Sequence, residues 1–339
     1  MGTRVYILGA GASAAACGLP VTREVLPRAI LNAQSPYGDK TYQADLALVL
    51  KEIQYPDVLD PDTRPSRDFL TLWPTPNFEE LLGRYQRDGL KQEEEALKRV
   101  LYSDLGGRDY DGPGSYRELV ELIESSTDEP TAIITFNYDL NLDRAWARRA
   151  SVHDIPWTHS VHFASGVSDE FPSYERLSHS PPALHLLKLH GSFGFLRCPR
   201  CGSLGLEYYV DYRPERGFAS VCKRCGNMHS FSPVLLPPVH DKRPPAELNT
   251  AWKVAHDFLS RCDSLTLIGY SLPDQDEHVR RMLSEALGST SGKSQLTVVD
   301  TSAESRHKLI RLLGGFFSRT QAFESLDGFL SRSSARRDK

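Results

Sequence analysis

Residues Arg4 to Arg23, RVYILGAGASAAACGLPVTR, constrain the fold most, because an apolar run breaks directly into a glycine turn and an alanine-rich segment. Val5, Tyr6, Ile7 and Leu8 read as a buried strand. Gly9, Gly11 and Ala14 then fit the spacing G-x-G-x-x-G/A. In that pattern small residues allow a tight turn, close approach of backbone to a pyrophosphate, and packing of a helix on the strand. The helix that follows would present unpaired N–H groups to phosphate. The acid expected about 20 residues further on is not clearly placed, so a plain strand, turn and helix is the competing reading.

The same event recurs downstream. TAIITFNYDLNLDRAWARR from Thr131, HLLKLHGSFGFL from His185, SLTLIGYSLPDQDEHVRRMLSEAL and QLTVVDTSAESRHKLIRLL each carry an apolar β-rich run into polar residues, three of them into a helix. Right-handed crossovers would assemble these strands into a mainly parallel, doubly wound α/β sheet of Rossmann type, with the polar strand ends on one rim. Ligands of open α/β sheets bind outside the carboxyl ends of strands, which nominates Asn137, Tyr138, Asp139 and His190. Gly269 permits close ligand approach, Ser271 offers a hydroxyl, and Asp300 can accept from ribose hydroxyls. Each has a plainer reading: Asn137, Asp139, Asp274 and Asp300 suit helix caps, Asp276 suits a first helical turn, and a lone histidine is commonly structural. An imidazole after a strand and before Gly191 would suit a general base on a ribose hydroxyl.

Between the first two strand units Thr22 can cap a helix to about Asn32, and Thr41 to Ile53 look helical. Five prolines puncture Tyr55 to Pro76, an irregular connection placed to cover a site. From Asn77 the spacing of Phe78, Leu81, Leu82 and Tyr85, then Leu90, Leu97 and Leu101, is helical. The expected organisation is therefore a Rossmann-like domain from 1–34, 126–195 and 232–331, interrupted by a helical insertion at 35–125 and a zinc-ribbon module at 196–231, with a disordered tail at 332–339.

That module rests on cysteine spacing. Cys198 and Cys201 in RCPRCG and Cys222 and Cys225 in VCKRCG form two CxxC knuckles with 20 residues between the inner cysteines. Four thiolates suit a tetrahedral Zn2+, and a full sulfur shell leaves no open position for a reactive water, so the metal would be structural. Cys17 and Cys262 read as packed, reduced thiols. Arg197, Arg200, Lys223 and Arg224 sit on or beside the knuckles, but a net charge of -4 supplies no global field for nucleic acid or an anionic membrane, and they read as solvated charges. The first strand follows the N-terminus without a charged leader and cleavable apolar segment, and no apolar run approaches about 20 residues, so a cytoplasmic location is expected.

Taken in order, these motifs resemble the sirtuin family, in particular its bacterial branch associated with NAD hydrolysis and phage defence. GAGAS (Gly9 to Ser13) is similar to the family's GAGxS turn and TFNYD (Thr135 to Asp139) to its TQNID segment; HGS (His190 to Ser192), the paired CxxC module, GYS (Gly269 to Ser271) and Asp300 follow in family order. The resemblance implies that Gly9, Ala10, Gly11, Ala12 and Ser13, with Arg23, hold a pyrophosphate, and that Gly269, Ser271 and Asp300 lie nearer the adenosine. It implies further that Asn137 orders the ribose side and a water, that Asp139 recognises the nicotinamide carboxamide, and that His190 is the base on a ribose hydroxyl.

Departures bear on the acceptor. Gly18-Leu19-Pro20 leads to Val21-Thr22-Arg23 rather than Asp-Phe-Arg, Phe136 and Tyr138 replace Gln and Ile, and PVLLPPV stands where the deacylases carry a phenylalanine-glycine-glutamate strand. Water then becomes the better acceptor, and the resemblance implies an NAD+ hydrolase releasing nicotinamide and ADP-ribose, a gated effector of antiviral defence. Because unchecked hydrolysis is toxic, control by homo-oligomerisation, a ligand, or a partner such as a HerA-like ATPase or an Argonaute-like protein is implied. A protein deacylase or ADP-ribosyltransferase, and a non-catalytic nucleotide- or nucleic-acid-binding scaffold, are the rival readings.

Overall fold

Apolar runs that alternate between two buried faces organise the computed structural model, which describes residues 2–33, 40–52, 77–106, 115–124, 129–150, 157–159, 184–207, 210–213, 217–222, 224–228, 230–237, 246–289 and 292–334. In chain order, β1 (Arg4–Leu8) leads to α1 (Ala10–Cys17) and, after a 3-10 turn at Thr22–Glu24, to α2 (Val25–Ala33). The helices α3 (Lys40–Glu52), α4 (Phe78–Asp88), α5 (Lys91–Leu101) and α6 (Tyr116–Glu124) follow. Next come β2 (Thr131–Thr135), α7 (Asn141–Ala150), β3 (Trp157–His159) and β4 (Leu184–Lys188). The short strands β5 (Gly191–Arg197), β6 (Leu204–Leu206), β7 (Asp211–Arg213), β8 (Gly217–Ala219) and β9 (Ser232–Leu235) surround the cysteines. The chain closes with α8 (Ala246–Arg261), β10 (Ser264–Ile268), α9 (Glu277–Gly288), β11 (Lys293–Val299), α10 (Ala303–Leu313), β12 (Phe317–Phe323) and α11 (Leu326–Ser334).

The main sheet has the order β12-β11-β10-β1-β2-β4-β3, and every pairing in it is parallel. Val5 and Ile7 pack with α8 and α9 on one face, while Tyr6 and Leu8 pack with α1, α6 and α11 on the other. Both faces being covered, the strands must be apolar throughout, which is the pattern expected of a parallel sheet. β1 is the centre from which the chain winds outward in both directions, so the switch point lies at the carboxyl ends of β1 and β10, where Leu8 and Ile268 are in register.

A second lobe stands over this rim. Leu81, Tyr85 and Leu97 of the inserted helices share one apolar cluster with Phe193 and Leu196 of β5 and with Cys198 and Cys222. Tyr102 makes edge contacts with Phe193 at 5.4 Å and Phe218 at 5.3 Å, joining the insertion to the cysteine region.

Local details differ from the sequence expectations for identifiable reasons. Val21, not Thr22, takes the cap position, its N–H donating to Glu24 Oε2 at 3.2 Å, and Thr22 lies inside the 3-10 turn. Gly89, with φ 72°, stops the helical run from Asn77 and splits it into α4 and α5. Residues 232–235 of the proline-rich stretch form β9, antiparallel to β5. Residues 332–334 belong to α11, which docks Phe329 and Leu330 onto the sheet, so the expected tail is helical there. The proline-punctured connection and residues 335–339 lie outside the described residues. Cys17 and Cys262 are buried and not joined in a disulfide.

Candidate active site

The two glycine turns at the switch point are built against each other. Gly9 N–H donates to Ile268 O at 3.1 Å and Gly11 N–H to Gly269 O at 2.9 Å. A Cβ on Gly9 would lie 2.6 Å from Gly269 O, and one on Gly269, at φ 59°, would lie 2.1 Å from Ala12 N. The first demand on these small residues is thus contact between loops, ahead of any ligand. Ala12 N–H is also spent, on Gly9 O at 2.9 Å. Gly269→Ala is expected to destabilise the fold by more than the ~1–3 kcal/mol usual for a strained backbone position, because it adds a backbone clash to the strain. Thermal denaturation would check this.

Above the turns lies a cleft of about 530 Å³. It collects Gly9, Ala10, Gly11, Ser13 and Arg23 from the N-terminal unit, Asn137 and Asp139 after β2, His190 after β4, Gly269 and Ser271 after β10, and Asp300 after β11. Ala12 is fully buried beneath and does not line it. Asp300 lines the cleft and its Oδ1 accepts from Ser302 N–H at 2.8 Å, but it is Ser302 that caps α10, its hydroxyl accepting from Ser305 N–H at 3.2 Å.

Ser13 is the hub of the floor. Its hydroxyl donates to Asp139 Oδ2 at 2.7 Å and accepts from Asn137 Nδ2 at 2.8 Å, with Tyr116 OH 2.6 Å away. Asn137 Nδ2 also donates to Gly9 O at 2.8 Å, leaving the amide oxygen as the group free to meet a ligand. Asp139 Oδ1 accepts from Asn141 N–H at 3.0 Å, so this carboxylate does cap α7 as well. Beneath it Lys188 Nζ, 1% exposed as a side chain, donates to Asp139 O at 2.5 Å and to Asp143 Oδ2 at 2.8 Å. Burial raises the Asp139 carboxyl above its ordinary range, and the Lys188 ammonium works against that rise.

One wall is aromatic. His190 is buried, its ring 4.8 Å from Phe136 and 6.4 Å from both Tyr138 and Trp252. Burial among these rings, with a small further push from His278, lowers its pKa to about 3, so the imidazole is neutral at physiological pH. The wall also carries Glu79 and Asp276, neither of which the sequence singled out for chemistry. Asp276 occupies the cap position of α9 without capping it; Oδ2 accepts from Tyr270 OH at 2.5 Å instead, and the buried Oδ1 has no partner among the described residues. Glu79, Tyr116 and Lys188 carried no local signal, since α4 and α6 read as amphipathic helices and Lys188 as the end of a strand.

Away from the cleft, the Sγ atoms of Cys198, Cys201, Cys222 and Cys225 all lie within 4.8 Å of one another, a cluster that could hold a metal ion. Sγ separations of 3.6 Å (Cys198 to Cys225) and 3.5 Å (Cys201 to Cys222) suit four sulfurs about one ion at ~2.3 Å from each. No helix among the described residues is long and apolar enough to cross a membrane.

An open parallel sheet with its cleft at the switch point, floored by glycine turns, defines an α/β protein of the nucleotide-binding kind. More particularly, the family model described as SIR2-like domain matches residues 131–314, more than half of the chain, and the protein belongs to that family. Among solved structures it is similar to Sir2Tm bound to a propionylated peptide, with 13% identity, 99% of this chain and 93% of that one covered, and a TM-score of 0.48. A Sir2 bound to an acetylated peptide gives 13% identity, the same coverages and 0.47. A Sir2, p53 peptide and NAD+ complex gives 13%, the same coverages and 0.44. No curated protein matches the chain.

Proposed function

We propose that the chain is an NAD+ glycohydrolase that breaks the bond between nicotinamide and ribose and passes the ribose to water. The observation that carries this reading is the Asn137–Ser13–Asp139 network, which fixes an amide and a carboxylate on the cleft floor opposite a neutral His190. Gly9, Ala10, Gly11 and Ser13, with Arg23, receive the pyrophosphate, and Ser271 and Asp300, with Gly269, face the adenosine. Asn137 turns its amide oxygen to the nicotinamide ribose and a water. Asp139 still has acceptor capacity on both carboxylate oxygens and takes the carboxamide N–H. His190, already neutral, accepts a proton from a ribose hydroxyl as positive charge develops on the ring. Positioned groups of this kind act by meeting charge that appears only in the transition state.

Incubating the purified chain with NAD+, with and without an acetyl-lysine peptide, and resolving products by mass spectrometry tests the reading. Peptide-independent nicotinamide and ADP-ribose, lost in His190→Ala, is the expected result. NAD+ bound but never cleaved would sink it. One observation favours the second reading, a protein deacylase: β9 is an edge strand beside the cleft, Leu236 N–H donating to His190 O at 2.7 Å, and such an edge can add a peptide strand. Nicotinamide release only with peptide would select it.

The cysteine cluster is proposed as a structural Zn2+ site within a ribbon at 196–231, beside an insertion at 35–125 and a nucleotide-binding domain from 1–34, 126–195 and 232–331. Its sulfurs share the apolar cluster of the second lobe. Cys225→Ser is therefore expected to lose bound zinc, read by elemental analysis, and to lower the Tm, with proton release on metal loading because thiols must ionise to bind. A gated role in defence, controlled by an oligomer or partner, belongs to the same proposal.

A further inference from the structure

The buried carboxylate of Asp276 is unexplained by any role given so far. Asp276 is 4% exposed and lines the cleft. Oδ2 is occupied by Tyr270 OH, whereas Oδ1 is buried with no partner among the described residues. An acceptor left bare in the interior is destabilising, and a donor on a bound molecule would relieve that. Glu79 lines the same cleft and accepts from Tyr138 OH at 3.4 Å. The rings between the two acids are continuous: Tyr270 stacks on Phe136 at 4.6 Å, Phe136 meets His190 at 4.8 Å, and Tyr138 lies along His190. Both carboxyl groups therefore belong to the wall that carries His190.

We propose that Asp276, backed by Glu79, takes the proton from the oxygen acceptor of the cleavage reaction, an inference that rests on the NAD+-cleaving reading. Water gives one proton to Asp276 as its oxygen bonds to C1′ of the nicotinamide ribose. The C1′–N bond breaks, its electron pair returns to the pyridinium nitrogen, and neutral nicotinamide and ADP-ribose leave. The proton then passes to solvent. His190 is not assigned this step, because in the proposed reaction its ring already serves the ribose hydroxyl.

The groups facing Asp276 set its protonation. Burial raises it to about 6, against the Tyr270 hydrogen bond and the Arg280 guanidinium on α9; Arg280 is itself paired with Asp274, which Lys308 also approaches at 3.5 Å. On the opposite side burial, and then the charge of Asp276, raise Glu79 to about 8, while Tyr138 remains protonated and His190 neutral beside His278. Two buried acids coupled through their charges share protons as a pair, and Asp276, whose Tyr270 hydrogen bond and Arg280 neighbour favour its charged form, is the member held closer to ionisation. As pH falls through about 6 Asp276 is protonated and turnover is lost.

The test compares Asp276→Asn and Asp276→Ala with the unaltered chain for nicotinamide release, its pH profile, and NAD+ affinity by equilibrium titration. Loss of a general base predicts release slower by ~100-fold or more, with affinity kept. Added formate is expected to restore part of the rate to Asp276→Ala alone, since the small carboxylate fills the space left. A variant with the original rate and acid limb overturns the proposal and leaves the hydrolase reading standing. Loss of NAD+ affinity in step with rate, without rescue by formate, also overturns it. An unaltered chain that binds NAD+ but never releases nicotinamide overturns both.

Discussion

Asn137→Ala is expected to abolish nicotinamide release, by at least ~100-fold, a loss of the size found when one preorganised hydrogen-bonding group is removed from an active site. The argument is one of connectivity. A single amide nitrogen ties Gly9 O, the bend between β1 and α1, to Ser13 Oγ, and through Ser13 to Asp139. Removing it strips a donor from both and frees the Ser13 hydroxyl to turn, so the amide oxygen, the carboxylate and the glycine turn lose their common register. The side chain is only part-buried, so global stability should fall by no more than ~1–3 kcal/mol. Asn137→Asp is the sharper variant. It preserves shape but presents a carboxylate where a donor is needed, beside the carboxylate of Asp139. Mass-spectrometric product counts alongside urea denaturation would check both; a folded Asn137→Ala chain with the original rate would remove Asn137 from the mechanism.

Strand ends were the most legible part of this chain, because two covered faces force an unbroken apolar run and the polar residue that ends it is conspicuous. GAGAS, TFNYD, LHGS and GYS could all be assigned to one rim, and all reach the same cleft. The glycines were legible for a partly mistaken reason, since Gly11 N–H and Ala12 N–H are spent within the protein rather than kept for phosphate. β12 and α11 went unread because β12 is an edge strand whose central residues Ser318, Arg319 and Thr320 are exposed and polar, leaving no apolar run to notice. Tyr116, Glu79 and Asp276 were invisible as site residues for a different cause. Each sits on a helix, or at the start of one, whose spacing explains it completely, and only the fold brings Tyr116 across 103 residues to Ser13.

The buried pair beneath the site separates stability from chemistry. Lys188→Met removes the ammonium 2.8 Å from Asp143, both side chains being at most 1% exposed, and is expected to cost about 3–5 kcal/mol, as breaking a buried pair from one side does. Replacing both, Lys188→Met with Asp143→Leu, takes the charge away along with its partner, and most of that stability should return in urea denaturation. Turnover should not return with it. Lys188 Nζ is also the donor that holds Asp139 O at 2.5 Å, and an apolar pair cannot hold the chain there. The Asp139 carboxylate would keep Ser13 and Asn141 but lose its backbone anchor, and would be free to shift by the ångström that positioned catalysis does not tolerate. A stable double variant with slow nicotinamide release is the expected outcome. A stable double variant at full rate would mean that Lys188 serves the fold alone and that the position of Asp139 is secured by Ser13 without it.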